Sequence, residues 1–100
     1  MEAVKKTSAQ ELKETVPEMI SEDYKERFKA EYKQTKIRYE RLKSFNARIE
    51  AAYETAEDPA PVEEPKHDCP LHLLQKQQRL MGEYLHVLEI RAVIEGINLH

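Results

Sequence analysis

Large apolar and aromatic side chains recur at steps of three and four along two long stretches of this chain, with a proline-rich acidic stretch between them. The first run is Tyr24, Phe28, Tyr32, Thr35, Tyr39, Leu42, Phe45, Ile49 and Tyr53. This spacing makes one stripe along a helix. No Pro or Gly interrupts residues 22–54. Ser21 offers an N-cap, and Glu22 and Asp23 stand where the helix dipole favours negative charge. The predicted helix over 22–54 is on the order of 45 Å long, so it needs a partner of similar length to cover its stripe. The second run, Leu71, Leu74, Met81, Leu85, Leu88, Ala92 and Val93 or Ile94, predicts a helix over 70–96. Pro70 suits its first position, Asp68 or Cys69 its cap, and Gly96 its end.

Before these, Ser8-Ala9-Gln10-Glu11 has the form of a capping box, and Pro17 stops the helix it would open. Residues 1–20 are therefore expected to hold a short helix with an apolar edge of Leu12, Val16, Met19 and Ile20. Residues 55–69 contain three Pro and five acids against one Lys, a composition that predicts an extended, mobile linker. The expected fold is all-α: one domain, an antiparallel two-helix hairpin with a short N-terminal helix. Such a hairpin has no third layer over its flanks. Ile37, Val87, Ile90, Ile94, Ile97 and Leu99 lie partly off the main stripes, which predicts assembly into a helical homo-oligomer.

Composition narrows the functional classes. The chain has 100 residues, 35% of them charged, with two Gly, one Cys and no Trp. A single Cys excludes an internal disulfide framework and a four-Cys zinc site, and two Gly leave no phosphate-binding loop. No apolar run is long enough to span a bilayer, and the N-terminus lacks a secretory core, so a cytoplasmic location is expected. The linker carries net −4 while the whole chain carries −3, so the remainder is slightly basic. Residues 25–48 hold nine Lys and Arg against three Glu, interleaved with tyrosines. Cations beside aromatic rings suit a nucleotide, whose phosphates take the charge and whose bases take the ring faces. They equally suit a solvated basic face with core tyrosines. The three acids dilute the charge too far for a strong binder of DNA or RNA polymers.

Several residues carry the candidate chemistry. Tyr24 falls in the first turn of the long helix, where free amides favour anions. Arg27 stands one turn on and can pair with Glu31. Arg91 is the polar residue most suited to being held in an interface, through Glu95 or a partner chain. His67, Asp68, Cys69 and His72 are the only cluster resembling metal ligands; their spacing matches no closed zinc motif, and no metal or other cofactor is expected. Cys69 lacks an oxyanion site, so the chain is not expected to be an enzyme.

The segment Asp23-Tyr24-Lys25-Glu26-Arg27-Phe28-Lys29-Ala30-Glu31, continuing to Arg38, Leu42 and Phe45, is followed after the linker by Cys69-Pro70-Leu71-His72-Leu73-Leu74-Gln75-Lys76-Gln77. Met81, Tyr84, Leu88 and Arg91 complete the pattern. Over residues 23–46 and 69–92 this resembles small proteins of crAss-like phages and, more distantly, phage anti-CBASS sponges that sequester cyclic oligonucleotides. The resemblance implies a compact helical oligomer, typically a hexamer, binding a nucleotide second messenger between protomers without cleaving it. It assigns base stacking to Tyr24, phosphate contacts to Arg38 with Lys36 beside it, and a further contact to Arg91. A sponge for cyclic ADP-ribose signals of the Thoeris type would use a similar pocket. The alternatives from other classes are an adaptor hairpin acting through protein contacts and a nucleic-acid-binding accessory protein.

Overall fold

The computed structural model describes residues 6–100, in four helical segments: α1 (Ser8–Glu14), α2 (Val16–Met19), α3 (Tyr24–Glu54) and α4 (Leu71–Glu95). The N-terminal region thus holds two short helices in place of the single one expected. Thr7, not Ser8, caps α1: its hydroxyl accepts from the Gln10 amide at 3.2 Å, and the Gln10 side chain accepts from the Thr7 amide at 2.8 Å. The capping box is real but displaced by one residue, because Gln can fill the third position as Glu does. The chain bends at Thr15, and Pro17 sits in the first turn of α2, where a missing amide proton costs nothing.

α3 begins one turn's fraction later than its charge pattern suggests. Asp23, not Ser21, is the N-cap; its carboxylate accepts from the Lys25 amide at 2.9 Å, and Ser21 Oγ accepts from the Asp23 amide. Pro70 is likewise the cap of α4, not its first residue: extended ψ (144°) turns its carbonyl onto the amides of Leu73 and Leu74. Gly96 ends α4 in the left-handed conformation (φ 69°), and the amides of Gly96 and Ile97 both reach the Ala92 carbonyl. That turn swings Ile97 back into the core, the hydrophobic contact such C-terminal motifs carry.

α3 and α4 run antiparallel. Tyr24 meets Arg91 and Glu95 at one end, the Tyr39 ring covers Gly82 in the middle, and Asn46 and Glu50 bond Gln78 and Gln75 at the other. The core between them is Phe28, Tyr32, Leu85, Leu88, Ala92 and Ile97, edged by Tyr39 and Leu99. Ile97, expected to be surplus, is therefore a core member and Leu99 packs half-buried against the core, whereas Val87, Ile90, Val93 and Ile94 remain exposed on α4. Asn46, fully buried near Ile49, donates to the Leu74 carbonyl at 3.2 Å and to Gln78 Oε1 at 2.9 Å.

α1 and α2 lie against a different face of α3. Gln34 donates to Thr15 Oγ1 and contacts Met19 Sδ, while Lys33 pairs with Glu18 at 3.2 Å. The connection from Thr55 to Pro70 forms no helix, and its last part is seated on α3. The His67 ring packs edge-on against Phe45, and its two nitrogens meet the Cys69 carbonyl and Glu64, each at 2.6 Å. The molecule is long and thin, 57 × 38 × 23 Å, with a radius of gyration of 17.4 Å where a compact domain of this length has about 13 Å. No helix of the described residues is long and apolar enough to cross a membrane.

Candidate functional site

The open end of the hairpin brings together the first residue of α3 and the last turn of α4. Asp23 stops the backbone just before Tyr24, and the antiparallel register sets Arg91 and Glu95 beside it. Arg91 Nη2 donates to the Tyr24 hydroxyl at 2.7 Å, that hydroxyl donates to Glu95 Oε1 at 2.8 Å, and Arg91 Nε donates to Glu95 Oε2 at 3.1 Å. The three groups close a ring. Beneath it the Arg91 guanidinium lies 5.0 Å from the Phe28 ring centre, and Tyr24 meets Phe28 edge to face at 6.2 Å. The ring remains about half open to water: Tyr24 keeps 45% of its surface exposed.

Charge within the cluster is balanced. The hydrogen bond to Glu95 raises the Tyr24 pKa above its ordinary 10.0 and holds the Arg91 guanidinium more firmly protonated. Tyr24 is the aromatic face that the cluster offers to solvent, whereas Phe28 beneath it is buried in the core between α3 and α4. Tyr84, half-exposed one α4 turn from Leu88, has its pKa raised by burial and by the nearby Glu31 carboxylate.

Two of the five sequence-derived candidates, Tyr24 and Arg91, thus form one constellation from positions 67 residues apart. Arg27 does not pair with Glu31; its Nη1 donates to the Ser21 carbonyl at 2.8 Å and ties down the turn between α2 and α3. Lys36 lies 5.9 Å from the Tyr32 ring centre, in a groove between the N-terminal helices, the middle of α3 and the C-terminal tail. Arg38 is exposed and does not line that groove. The proposed phosphate pair of Lys36 and Arg38 is therefore split over two surfaces, because successive helical residues turn by roughly 100°.

The groove has a volume of about 1190 Å³ and carries Lys36, Arg41 and Arg48 beside Tyr32 and Phe45. Interleaving of cations and rings recurs along α3: Lys43 stands over Tyr39 at 5.9 Å and Arg48 over Phe45 at 5.4 Å. Among the described residues Lys36, Arg38, Arg41, Lys43 and Arg48 form no ion pair. The rim also brings Glu11, Glu14, Glu18 and Glu40, so the groove is mixed in sign. Glu95 pairs with Arg91 as the sequence offers; Phe28, read there only as a stripe residue, is the member of the Tyr24 cluster that one-dimensional reading does not assign to it, and the (i, i+4) step Tyr24–Phe28 is the signal that locates it.

The hairpin thus carries an aromatic and arginine junction at its mouth and, along α3, cations that form no ion pair among the described residues. The family model named Sequestin matches residues 22–94, which span α3, the connection and nearly all of α4. The chain belongs to the Sequestin family, whose name is that of a sequestering protein. The match omits α1, α2 and the C-terminal tail. No curated protein and no solved structure matches the chain significantly.

Proposed function

We propose that this protein binds and sequesters a nucleotide immune second messenger, of cyclic oligonucleotide or cyclic ADP-ribose type, without cleaving it. In this reading it is a phage anti-defence sponge that works as a homo-oligomer in the infected cell. The observation that carries the reading is the Sequestin match over 22–94, the segment that contains Tyr24, Arg27, Lys36, Arg38 and Arg91. The chemistry of the hairpin mouth supports it. The half-exposed Tyr24 ring suits a base, and Arg91, released from Glu95, suits a phosphate. A sponge acts by affinity and slow release, and a rigid helical pair lowers the ordering cost of binding.

Isothermal calorimetry with cyclic di- and trinucleotides and with cyclic ADP-ribose isomers tests the reading. At least one should bind and be recovered unchanged. Stacking of one base is worth about 1–3 kcal/mol, so Tyr24→Ala should weaken binding roughly 5- to 150-fold while Tyr24→Phe retains most of it. Absence of binding by every nucleotide, or equal binding by Tyr24→Ala and wild type, refutes the assignment and favours an adaptor role.

A further inference from the structure

α4 carries two heptad seams. The first, Leu74, Gln78, Met81, Leu85, Leu88 and Ala92, is the buried or half-buried face that packs on α3. The second is turned from it by roughly 100°, one residue along the helix. Leu73, Leu80, Val87 and Ile94 recur there at intervals of seven, with Gln77, Tyr84 and Arg91 four residues after each of the first three. The four apolar residues are exposed, Leu80 by 48% and Ile94 by 77%, although nothing in the fold of one chain requires large apolar groups there. A strict seven-residue repeat over three turns of the heptad is the pattern of a helix that packs lengthwise against another helix.

We infer that this second seam is the interface with a second copy of the chain, with the two α4 helices packed antiparallel about a two-fold axis near Glu83 and Tyr84. Charge decides both the occupant and the direction. The N-terminal half of α4 carries Lys76 and Arg79 and no acid; the C-terminal half carries Glu83, Glu89 and Glu95 against Arg91 alone. Antiparallel packing lays each basic half along an acidic half of the other copy. Parallel packing would instead set Arg91 against Arg91 in the seam and align the two helix dipoles. The seam is self-complementary: Leu80 meets Val87 of the second copy, Leu73 meets its Ile94, and the contact closes on itself as a two-fold interface must. The two hairpins then form a four-helix arrangement in which each α4 is covered on both seams.

The arrangement sharpens the homo-oligomer part of the proposed function, on which it rests, and it bears on the candidate site. Arg91 belongs to the seam and to the Tyr24 ring at once. In the register that pairs Leu80 with Val87, Lys76 of the second copy stands opposite Arg91 with Gln77 next to it, so the hairpin mouth opens beside the interface.

Light scattering coupled to size-exclusion chromatography should give a multiple of the 11.8 kDa chain mass, reduced by at least half in Leu80→Glu and in Val87→Glu. Both positions are exposed in the single chain, and circular dichroism at 222 nm checks that each variant keeps its helices. Direction is read by cysteine pairing in a Cys69→Ser background, since Cys69 is exposed and free. Tyr84→Cys should form a disulfide with itself, and Leu73→Cys should pair with Ile94→Cys but not with itself. A monomeric wild type, an unchanged mass in both Glu variants, or self-pairing of Leu73→Cys overturns the inference. Subunit mass reports this interface while calorimetry reports ligand, so failure of either is distinguished from failure of the other.

Discussion

Asn46 gives the sharpest test of how the hairpin is held. Its amide nitrogen makes two hydrogen bonds across the α3–α4 contact, while Oδ1 is buried with no partner. Each bond contributes about 1 kcal/mol net, and an unsatisfied buried acceptor costs about as much as one of them returns. Asn46→Ala removes both bonds and the orphan, and leaves a small void that costs on the order of 1 kcal/mol. The expected net loss is about 2 kcal/mol, or a fall in Tm of roughly 8–16 °C for a domain of this size. Asn46→Leu fills the volume and removes the orphan; the Leu74 carbonyl keeps its helical bond and half-buried Gln78 can turn to water. That variant should stay within about 1 kcal/mol of wild type. Thermal melts followed at 222 nm, at one protein concentration so that assembly contributes equally, read the difference. If Asn46→Leu loses as much as Asn46→Ala, hydrogen bonding and not packing carries the site, and the reasoning is refuted. A buried amide that stabilises so little fixes alignment, since only one register gives it partners on the facing helix.

Gly82→Ala should stabilise the protein by about 1 kcal/mol, because the new methyl meets the Tyr39 ring at 3.5 Å, an ordinary contact; a drop in Tm would contradict that geometry. Gly96→Ala should destabilise by roughly 1–2 kcal/mol in the same melt, since φ of 69° is strained for any residue with a Cβ. Asp23→Ala should cost about 1 kcal/mol through the lost cap on Lys25, with urea midpoints as the readout. The His67 clasp predicts a pH dependence. Both partners of its ring, the Cys69 carbonyl and the Glu64 carboxylate, only accept, so only the imidazolium satisfies both. The Cys69 carbonyl first, and Glu64 second, raise the His67 pKa above its ordinary 6.5, so its contribution is full below that value and is lost as pH rises through the raised one. Glu64, held below its ordinary 4.5 chiefly by the Tyr53 hydroxyl, releases only as pH falls through the lowered value. Ring proton shifts of His67 should titrate above 6.5, and Glu64→Gln should move that midpoint down; an unshifted midpoint in the variant would remove Glu64 from the clasp.

The two long helices were legible because their signals are local and redundant: uninterrupted apolar steps, an early acid, a late glycine. Cap positions slipped by one or two residues, at Thr7, Asp23 and Pro70, because adjacent residues could each serve and tertiary packing chose between them. Tyr24 and Arg91 could be singled out from helix-end electrostatics and stripe position, but their meeting depended on the register between α3 and α4. That register is set by Asn46, Gln78 and Gln75, whose polar contacts leave no trace in hydrophobic periodicity. The seating of the connection's last residues is illegible in the sequence for a related reason. The connection's composition is that of a free chain, and the one long-range contact seen there, the edge of His67 on Phe45, leaves no mark in composition.

The antiparallel register also orders the hairpin in time. Glu50 and Gln75 stand 25 residues apart in sequence, whereas Tyr24 and Glu95 stand 71 apart. Loop closure disfavours the longer span, so the contacts nearest the connection form first and those at the mouth last. The aromatic and arginine ring is therefore the end of a zipper, the last part of the hairpin to close. A molecule seated there would act as the zipper's stop, slowing exchange along both helices far from any atom it touches.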